Sequence, residues 1–583
     1  MPATRQVPSA TPPVRSSRAV ATAAVATTAL LSLWLRAAYL PLGTWAPYDD
    51  LLYVRLAEHL AAGSWLGPYE NMTLAKGAFF PMFVAANKAT GLPLKLSEHL
   101  LYLAACLLAT ATLRRSTRRL WAVLPAFLLL ALAPAQWTDD AARITRESVY
   151  LCLSLALFCL VARYFQTAGS KLVTGTLVGL AGAAFWLTRE EGAWLLPALA
   201  VFAVPTVVDT VRQWKRDSAS LAHTARVKDV ATFLATPLAA FLAAIALMNS
   251  ANFFAYGVFR NNDFRSGPFA DAYGSLARIA HDDWKRYVVF PADARQRAYA
   301  HSAAARELAP YLEGGLGQGW INVSRHYPKP WGCPHDPQSC NQEILSGWFV
   351  WALRDAVAAA GHYRSARTAD DFYTRLAREI NTACDDGRMP CHASRTGLAP
   401  VWRAHYLVDA LIASGDVLVT LATFKAGRVG VPASALTEEQ AGYLQAAVNS
   451  RLSGFGKDGA RSESVNPDHA RVRLTQGIAS IYAAASPPLL ACALLSYLFL
   501  LAAWLKVKSA NVSTDSVVTL TALLIAVLSR VGLLGFLEAT SLPGNTMLYL
   551  MPVVPFYLLF VAASLGLGSA AVRDTLRART NTP

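Results

Sequence analysis

The chain has 583 residues, 54% of them hydrophobic and only 16% charged, with a mean hydropathy of +0.31. A soluble domain carries about a quarter charged residues, so lipid is the solvent for much of this chain. The net charge of +15 falls largely in short segments between apolar runs, with no basic face or aromatic reading motif. That pattern excludes nucleic acid as a partner and fits the positive-inside bias of a membrane protein.

Residues 1–18 (MPATRQVPSATPPVRSSR) are rich in Pro, Ser and Ala and contain no acid, which predicts a disordered cytoplasmic tail. The apolar run after them is too long for a removable leader and lacks a clear small-residue cleavage site, so it reads as the first span. Runs near the length of about 20 apolar residues needed to cross the hydrocarbon fall at 19–40, 97–114, 120–136, 147–165, 172–188, 192–209, 229–250, 475–504, 514–537 and 546–569. The stretch 78–94 is shorter and is interrupted by Pro81, Asn87, Lys88 and Pro93. It is either an eleventh span or a helix in the interface.

Charge decides between the two. If 78–94 does not cross, the clusters Arg5/Arg15/Arg18, Arg114–Arg119, Arg163/Lys171, Arg212–Lys228, Lys506/Lys508 and Arg573–Arg579 share one side. If it crosses, the Arg114–Arg119 cluster is exported and everything after it inverts. The prediction is an all-α polytopic protein of the inner (plasma) membrane with ten spans and both termini cytoplasmic. Its parts are a membrane module at 19–250 with a first outer loop at 41–96, an extracytoplasmic insert at 251–474, closing membrane helices at 475–570, and a second cytoplasmic tail at 571–583.

The insert reads as mainly helical with long loops. Within it, 402–424 carries a leucine stripe (Leu407, Leu411, Leu418, Leu421), but Asp409 and Asp416 argue against its crossing the bilayer. Of eight cysteines, Cys106, Cys152, Cys159 and Cys492 lie in apolar runs and read as small buried hydrophobes. Cys333/Cys340 and Cys384/Cys391 lie in the insert, each pair with six residues between its members. They predict two disulfides, of open connectivity, in an oxidising compartment; zinc clusters favour about two to four intervening residues. Trp284, Trp320, Trp331, Trp348 and Trp351 are core residues or platforms for a sugar ring.

The expected outer face collects charge beside the spans. Asp49 and Asp50 open an amphipathic helix whose stripe is Leu52, Leu56 and Leu60. Capping and solvation account for two adjacent acids as well as chemistry does. Arg146 and Glu147 begin the fourth span, and Arg189, Glu190 and Glu191 fill the turn between the fifth and sixth; helix caps and local ion pairs are the plain alternative. Arg530 lies in the ninth run, roughly 24 Å above its start. A charge there costs about 2.5–3.5 kcal/mol on insertion scales, so it either snorkels or has a phosphate or carboxylate partner. Lys76, before the 78–94 stretch, reads as a snorkelling anchor or a ligand. A rim holding both signs suits transfer from a lipid-linked phospho-sugar. A carboxylate accepts the proton of the incoming hydroxyl, and fixed cations stabilise the departing phosphate.

These residues also resemble a family. A span, an acidic pair, then Tyr53, Ala57, Leu60 and Gly63 at Y-x-x-x-A-x-x-L-x-x-G spacing, then Lys76 and Pro81, is similar to the opening of GT-C superfamily glycosyltransferases. The protein O-mannosyltransferase type and the bacterial lipid A aminoarabinose transferases are the nearest in pattern. TRESVY, LTREEG and the closing RVGLLGFLEATSLPGNTMLYLMPVVP resemble later segments of the same superfamily. The likeness spans about 1–210 and 475–570. It differs before Pro81, where this chain has Gly77, Ala78, Phe79 and Phe80, and the insert matches no soluble domain.

The resemblance implies a GT-C-type helix bundle and an inverting hexosyl- or pentosyltransferase. The donor would be a polyprenyl-phosphate sugar, the base Asp49 or Asp50, and the acceptor an envelope glycan, lipid or protein. Metal dependence varies among such enzymes, so Mg or Mn enters only through the resemblance. The rival readings are a transporter or lipid flippase, which places its ionisable groups near the midplane of repeated halves, and a non-catalytic envelope scaffold, which leaves the rim charges without a common purpose.

Overall fold

The computed structural model describes residues 14–117, 120–166, 170–216, 222–325, 342–425, 427–456, 469–507 and 512–580. Cys333, Cys340, Trp331 and most of the N-terminal tail lie outside them. Among the described residues the regular structure is helical, with isolated bridges and no strands. The long helices are α1 (Val14–Arg36), α2 (Asp50–Ala61), α3 (Phe79–Thr90), α4 (Leu94–Thr117), α5 (Leu120–Ala131), α6 (Glu147–Gln166), α7 (Lys171–Thr188), α8 (Leu196–Arg216) and α9 (Ala222–Tyr256). After them come α10 (Pro268–Ala277), α11 (Ala292–His301), α12 (Ala303–Leu312), α13 (Gly315–Arg325), α14 (Ser346–Ala359) and α15 (Ala366–Asp385). The chain closes with α16 (Tyr406–Thr423), α17 (Glu438–Val448), α18 (His469–Val507), α19 (Thr514–Thr540) and α20 (Val554–Thr580).

Ten helices among the described residues are long and apolar enough to cross a membrane, and the chain is an all-α polytopic protein. Nine of the ten coincide with runs expected from the sequence. The run at 120–136 does not: α5 ends at Ala131 and a 3₁₀ turn, Pro134–Trp137, follows, so only a shorter apolar helix remains. The tenth is α16, long and apolar enough despite Asp409 and Asp416.

Both flanks of α16 nonetheless meet one end of the bundle. Trp402 stacks on Phe536 near the C-terminus of α19, with ring centroids 6.3 Å apart. On the other side the Asp139 amide donates to the Arg428 carbonyl at 3.1 Å and the Gly430 amide to the Trp137 carbonyl at 3.1 Å. Phe536 is near the C-terminal end of α19, Asp139 and Trp137 lie in the α5–α6 connection, and Gly427 faces Met547 in the α19–α20 connection, so these contacts share that end. Asp409 and Asp416 lie on the same exposed face as Leu407, Leu411 and Ile412, a mixture suited to an interface.

The stretch 78–94 forms α3, 12 residues long. At 1.5 Å per residue it spans roughly 18 Å, too short to cross. Gly91 ends it in the left-handed region, φ 73°.

Among the described residues three larger apolar cores stand out beside two small ones. The largest joins α4–α8 with α18–α20 around Phe158, Phe556 and Tyr557. A second fills the insert and reaches the first outer loop, joining Phe269, Phe349, Tyr373 and Leu376 to Leu52, Leu56, Leu66 and Leu74. The third seats α17, through Leu444 and Val448, on Tyr53 of α2 and Phe80 of α3. The insert therefore divides at α16, one part on each side of the acidic pair. Ser365 caps α15 in a capping box with Thr368, and a disulfide joins Cys384 at its end to Cys391, Cα–Cα 5.5 Å.

Candidate active site

The charged residues singled out from sequence meet at this end of the bundle. Asp49 and Asp50 are consecutive but occupy different surroundings. Asp50 is fully buried; it accepts from Arg143 Nη2 at 2.5 Å and from the Ile144 amide at 3.1 Å. Asp49, whose side chain is 40% exposed, pairs with Lys76 and lies 3.8 Å from Arg143. Burial raises both carboxyls. At Asp49 the Lys76 ammonium and the Arg143 guanidinium outweigh burial and hold the acid below its ordinary value. At Asp50 burial wins and the value rises. Burial likewise lowers the Lys76 ammonium more than Asp49 restores it, and Lys76 sits 5.0 Å above the Tyr53 ring and 5.5 Å from that of Trp351.

The next residue carries the network onward. The Gly77 amide donates to Glu190 Oε1 at 3.3 Å. A Cβ at Gly77 would collide with the Leu187 carbonyl, so only glycine lets the two segments approach this closely. Glu190 accepts two contacts from Arg146, Nη1 to Oε1 and Nη2 to Oε2, both 2.8 Å, and one from Asn262 at 3.0 Å. Burial raises Glu190, but Arg146 dominates and draws it down to about 2. Arg189 pairs with Glu147 at 2.9 Å and with Glu191 at 2.9 Å. Glu191 also meets Arg530 Nη1 at 2.7 Å. Arg530 is fully buried, donates to the Tyr549 carbonyl at 2.7 and 3.1 Å, and packs over Trp194. The partner expected for Arg530 is thus the carboxylate.

Two basic residues of this network escaped the sequence reading. Arg143 stands three residues before Arg146 in the same segment and ties Asp50 in place. Arg265, from the first turn of the insert, donates to the Glu190 carbonyl at 3.4 Å, the Trp186 carbonyl at 2.7 Å and the Arg189 carbonyl, and lies 3.9 Å from the Trp186 ring. It has no carboxylate ion pair among the described residues, and burial pulls it down to about 10. With Glu190 and Glu191 it lines a cleft of about 600 Å³. Trp284, Arg403 and Tyr406 line the same cleft, as do Leu533 and Phe536 of α19. Trp284 is 39% exposed, whereas Trp320 and Trp351 are buried.

Among the described residues no group of three or more His, Cys, Asp or Glu is placed to hold a metal ion. Asp49, Asp50, Glu147, Glu190 and Glu191 are each matched to a cation instead. These acids, each engaged by a cation, do not form the ligand set that Mg or Mn would take.

No family matches the sequence, and no curated protein does. Two solved structures are similar in overall course. ArnT from Cupriavidus metallidurans in the apo state is 14% identical over 92% of this chain and 78% of that one, with a TM-score of 0.29. The same protein bound to undecaprenyl phosphate is 15% identical over 93% and 78%, also at 0.29. So low a score carries no inference about chemistry.

Proposed function

We propose that the chain is a GT-C-type membrane glycosyltransferase that moves a sugar from a polyprenyl-phosphate donor to an extracytoplasmic acceptor, with inversion at the anomeric carbon. The observation that carries this reading is a half-exposed carboxylate, Asp49, paired with the Lys76 ammonium at the edge of a buried Arg–Glu framework. Asp49 is the base and Asp50 its support, because Arg143 and the Ile144 amide occupy both oxygens of Asp50.

The donor phosphate takes the Lys76 ammonium and the Arg265 guanidinium, which releases Asp49 from its ion pair. Asp49 then accepts the proton of the acceptor hydroxyl. The hydroxyl oxygen bonds to the anomeric carbon as the bond from that carbon to the phosphate oxygen breaks, and the electron pair leaves with the polyprenyl phosphate. The cations offset the charge that gathers on the departing oxygen. Arg146, Arg189 and Arg530 act as framework, since carboxylates already engage them.

The cleft beside Glu190 and Glu191 suits an amphiphile arriving sideways. Its α19 wall is apolar, and α16 beside it exposes Leu407, Val408 and Leu411. The Cys384–Cys391 disulfide supports an oxidising, extracytoplasmic location for this end, and the acceptor is an envelope glycan, lipid or protein. Purified protein in liposomes, supplied with polyprenyl-phosphate sugars and envelope extracts, is expected to release polyprenyl phosphate, and the Asp49→Asn variant is expected to lose that activity while still folded. Full transfer by that variant would end the proposal.

A further inference from the structure

A second cavity, about 780 Å³, lies away from the acids just described, between the end of α1, the start of α4 and the helix α17. Three cations line it, Arg36, Lys95 and Arg451, and no acid does. Two of them are deeply buried: Arg36 is 5% exposed and Lys95 4%. Lys95 is balanced by Glu98 at 2.8 Å and donates to the Arg143 carbonyl at 2.6 Å. Arg36 has no ion pair within 4 Å among the described residues, although the Glu98 carboxylate acts on it from farther off; its guanidinium lies 5.9 Å from the Tyr39 ring and donates to the carbonyls of Tyr39 at 3.3 Å and Ala141 at 3.5 Å. A buried guanidinium with two long carbonyl contacts retains donors for an anion.

Depth identifies the anion. Arg36 closes one candidate span and Lys95 opens the next, so the cations stand at the polar boundary of the bundle, with Leu40, Pro41, Pro93 and Leu96 beside them. Three cations with apolar neighbours at the end of two spans suit a lipid phosphate, held by charge-assisted hydrogen bonds while its chains lie along the helices. We propose that this cavity binds the phosphate of an anionic membrane lipid through Arg36, Lys95 and Arg451, separately from the transfer site. The bound lipid would brace α17, whose following residue Asn449 donates to the Asn87 and Leu92 carbonyls at 3.2 Å each. Through Lys95 and Arg143 it would also stiffen the support of Asp50. The proposal stands whether or not the transfer reading does.

Native mass spectrometry of the full chain in detergent tests it, with dioleoylphosphatidylglycerol, dioleoylphosphatidylcholine, dioleoylglycerol or inorganic phosphate added singly. The expected result is one tightly held phosphatidylglycerol per chain, with about tenfold weaker retention in Arg36→Gln and in Arg451→Gln. Arg451 is exposed, so its variant reports on the site even if Arg36→Gln does not fold. Equal retention of phosphatidylcholine or dioleoylglycerol, unchanged retention in Arg451→Gln, or displacement of the lipid by millimolar phosphate would overturn the proposal.

Discussion

Arg143 binds Asp50 at 2.5 Å yet stands 3.8 Å from Asp49. One guanidinium thus distinguishes two adjacent carboxylates, a buried one that it binds directly and a half-exposed one, the proposed base. Asp49→Asn is expected to lower transfer by about 10²–10⁴-fold, the range for loss of a general base, with unfolding unchanged to within a few degrees. Asp50→Ala removes the buried carboxylate that holds Arg143 and the Ile144 amide and is expected to cost stability, about 1–3 kcal/mol. Thermal unfolding and single-turnover transfer on both variants check the division. Equal stability loss in both would sink it.

The Lys76–Asp49 pair gives a pH signature. As the proposed base, Asp49 must be ionised to act, so activity is expected to fall as pH drops through its value, which Lys76 and Arg143 hold down against burial. Removing the ammonium with Lys76→Met lets burial raise the acid. The acidic limb of the pH–rate profile is then expected to move to higher pH. The charge-retaining Lys76→Arg should keep the wild-type limb. A profile that scales down without shifting would detach Lys76 from Asp49.

What the sequence disclosed follows from contrast. Arg146, Glu147, Arg189, Glu190, Glu191 and Arg530 stand out because a charge beside or inside an apolar run is costly and demands a partner. Which partner it takes is tertiary. Asp49 and Asp50 differ by one residue, about 100° around a helix, and only packing against the Arg143 segment distinguishes them. Arg265 sits in a polar stretch where another arginine is unremarkable, so nothing marked it before its contacts with Trp186, Arg189 and Glu190 were seen. Helix α16 shows the limit of periodicity: its length and apolarity allow a span, while contacts at both flanks bring it back to one end.

Arg530 and Glu191 provide a test of framework against ligand. Arg530 is fully buried, and Glu191 is its carboxylate partner. Arg530→Met removes one of the two cations on Glu191 and the donors to the Tyr549 carbonyl, so it is expected to destabilise the fold by about 1–3 kcal/mol. Glu191 retains Arg189, and Arg189 retains Glu147, so Arg530→Met combined with Glu191→Gln should cost less than the two single changes summed. Unfolding midpoints of the four proteins measure this. A wild-type midpoint in Arg530→Met, with a raised donor KM, would instead make Arg530 a phosphate ligand.

Arg265 carries the sharper expectation for the donor. It lines the cleft, lacks a carboxylate ion pair among the described residues, and stays protonated at neutral pH with its value near 10. Arg265→Ala is expected to lower kcat/KM for the polyprenyl-phosphate sugar by about 10²–10³-fold, the scale of losing one group that stabilises developing charge. Arg265→Lys keeps the charge but loses the planar fork that spans the Trp186 and Arg189 carbonyls, so it should recover only part of that loss. Binding of polyprenyl phosphate alone, followed by tryptophan fluorescence, separates a ligand from a brace. A ligand role predicts weaker binding in Arg265→Ala and intermediate binding in Arg265→Lys. Unchanged binding alongside a lowered unfolding midpoint would reassign Arg265 to holding the 186–190 turn.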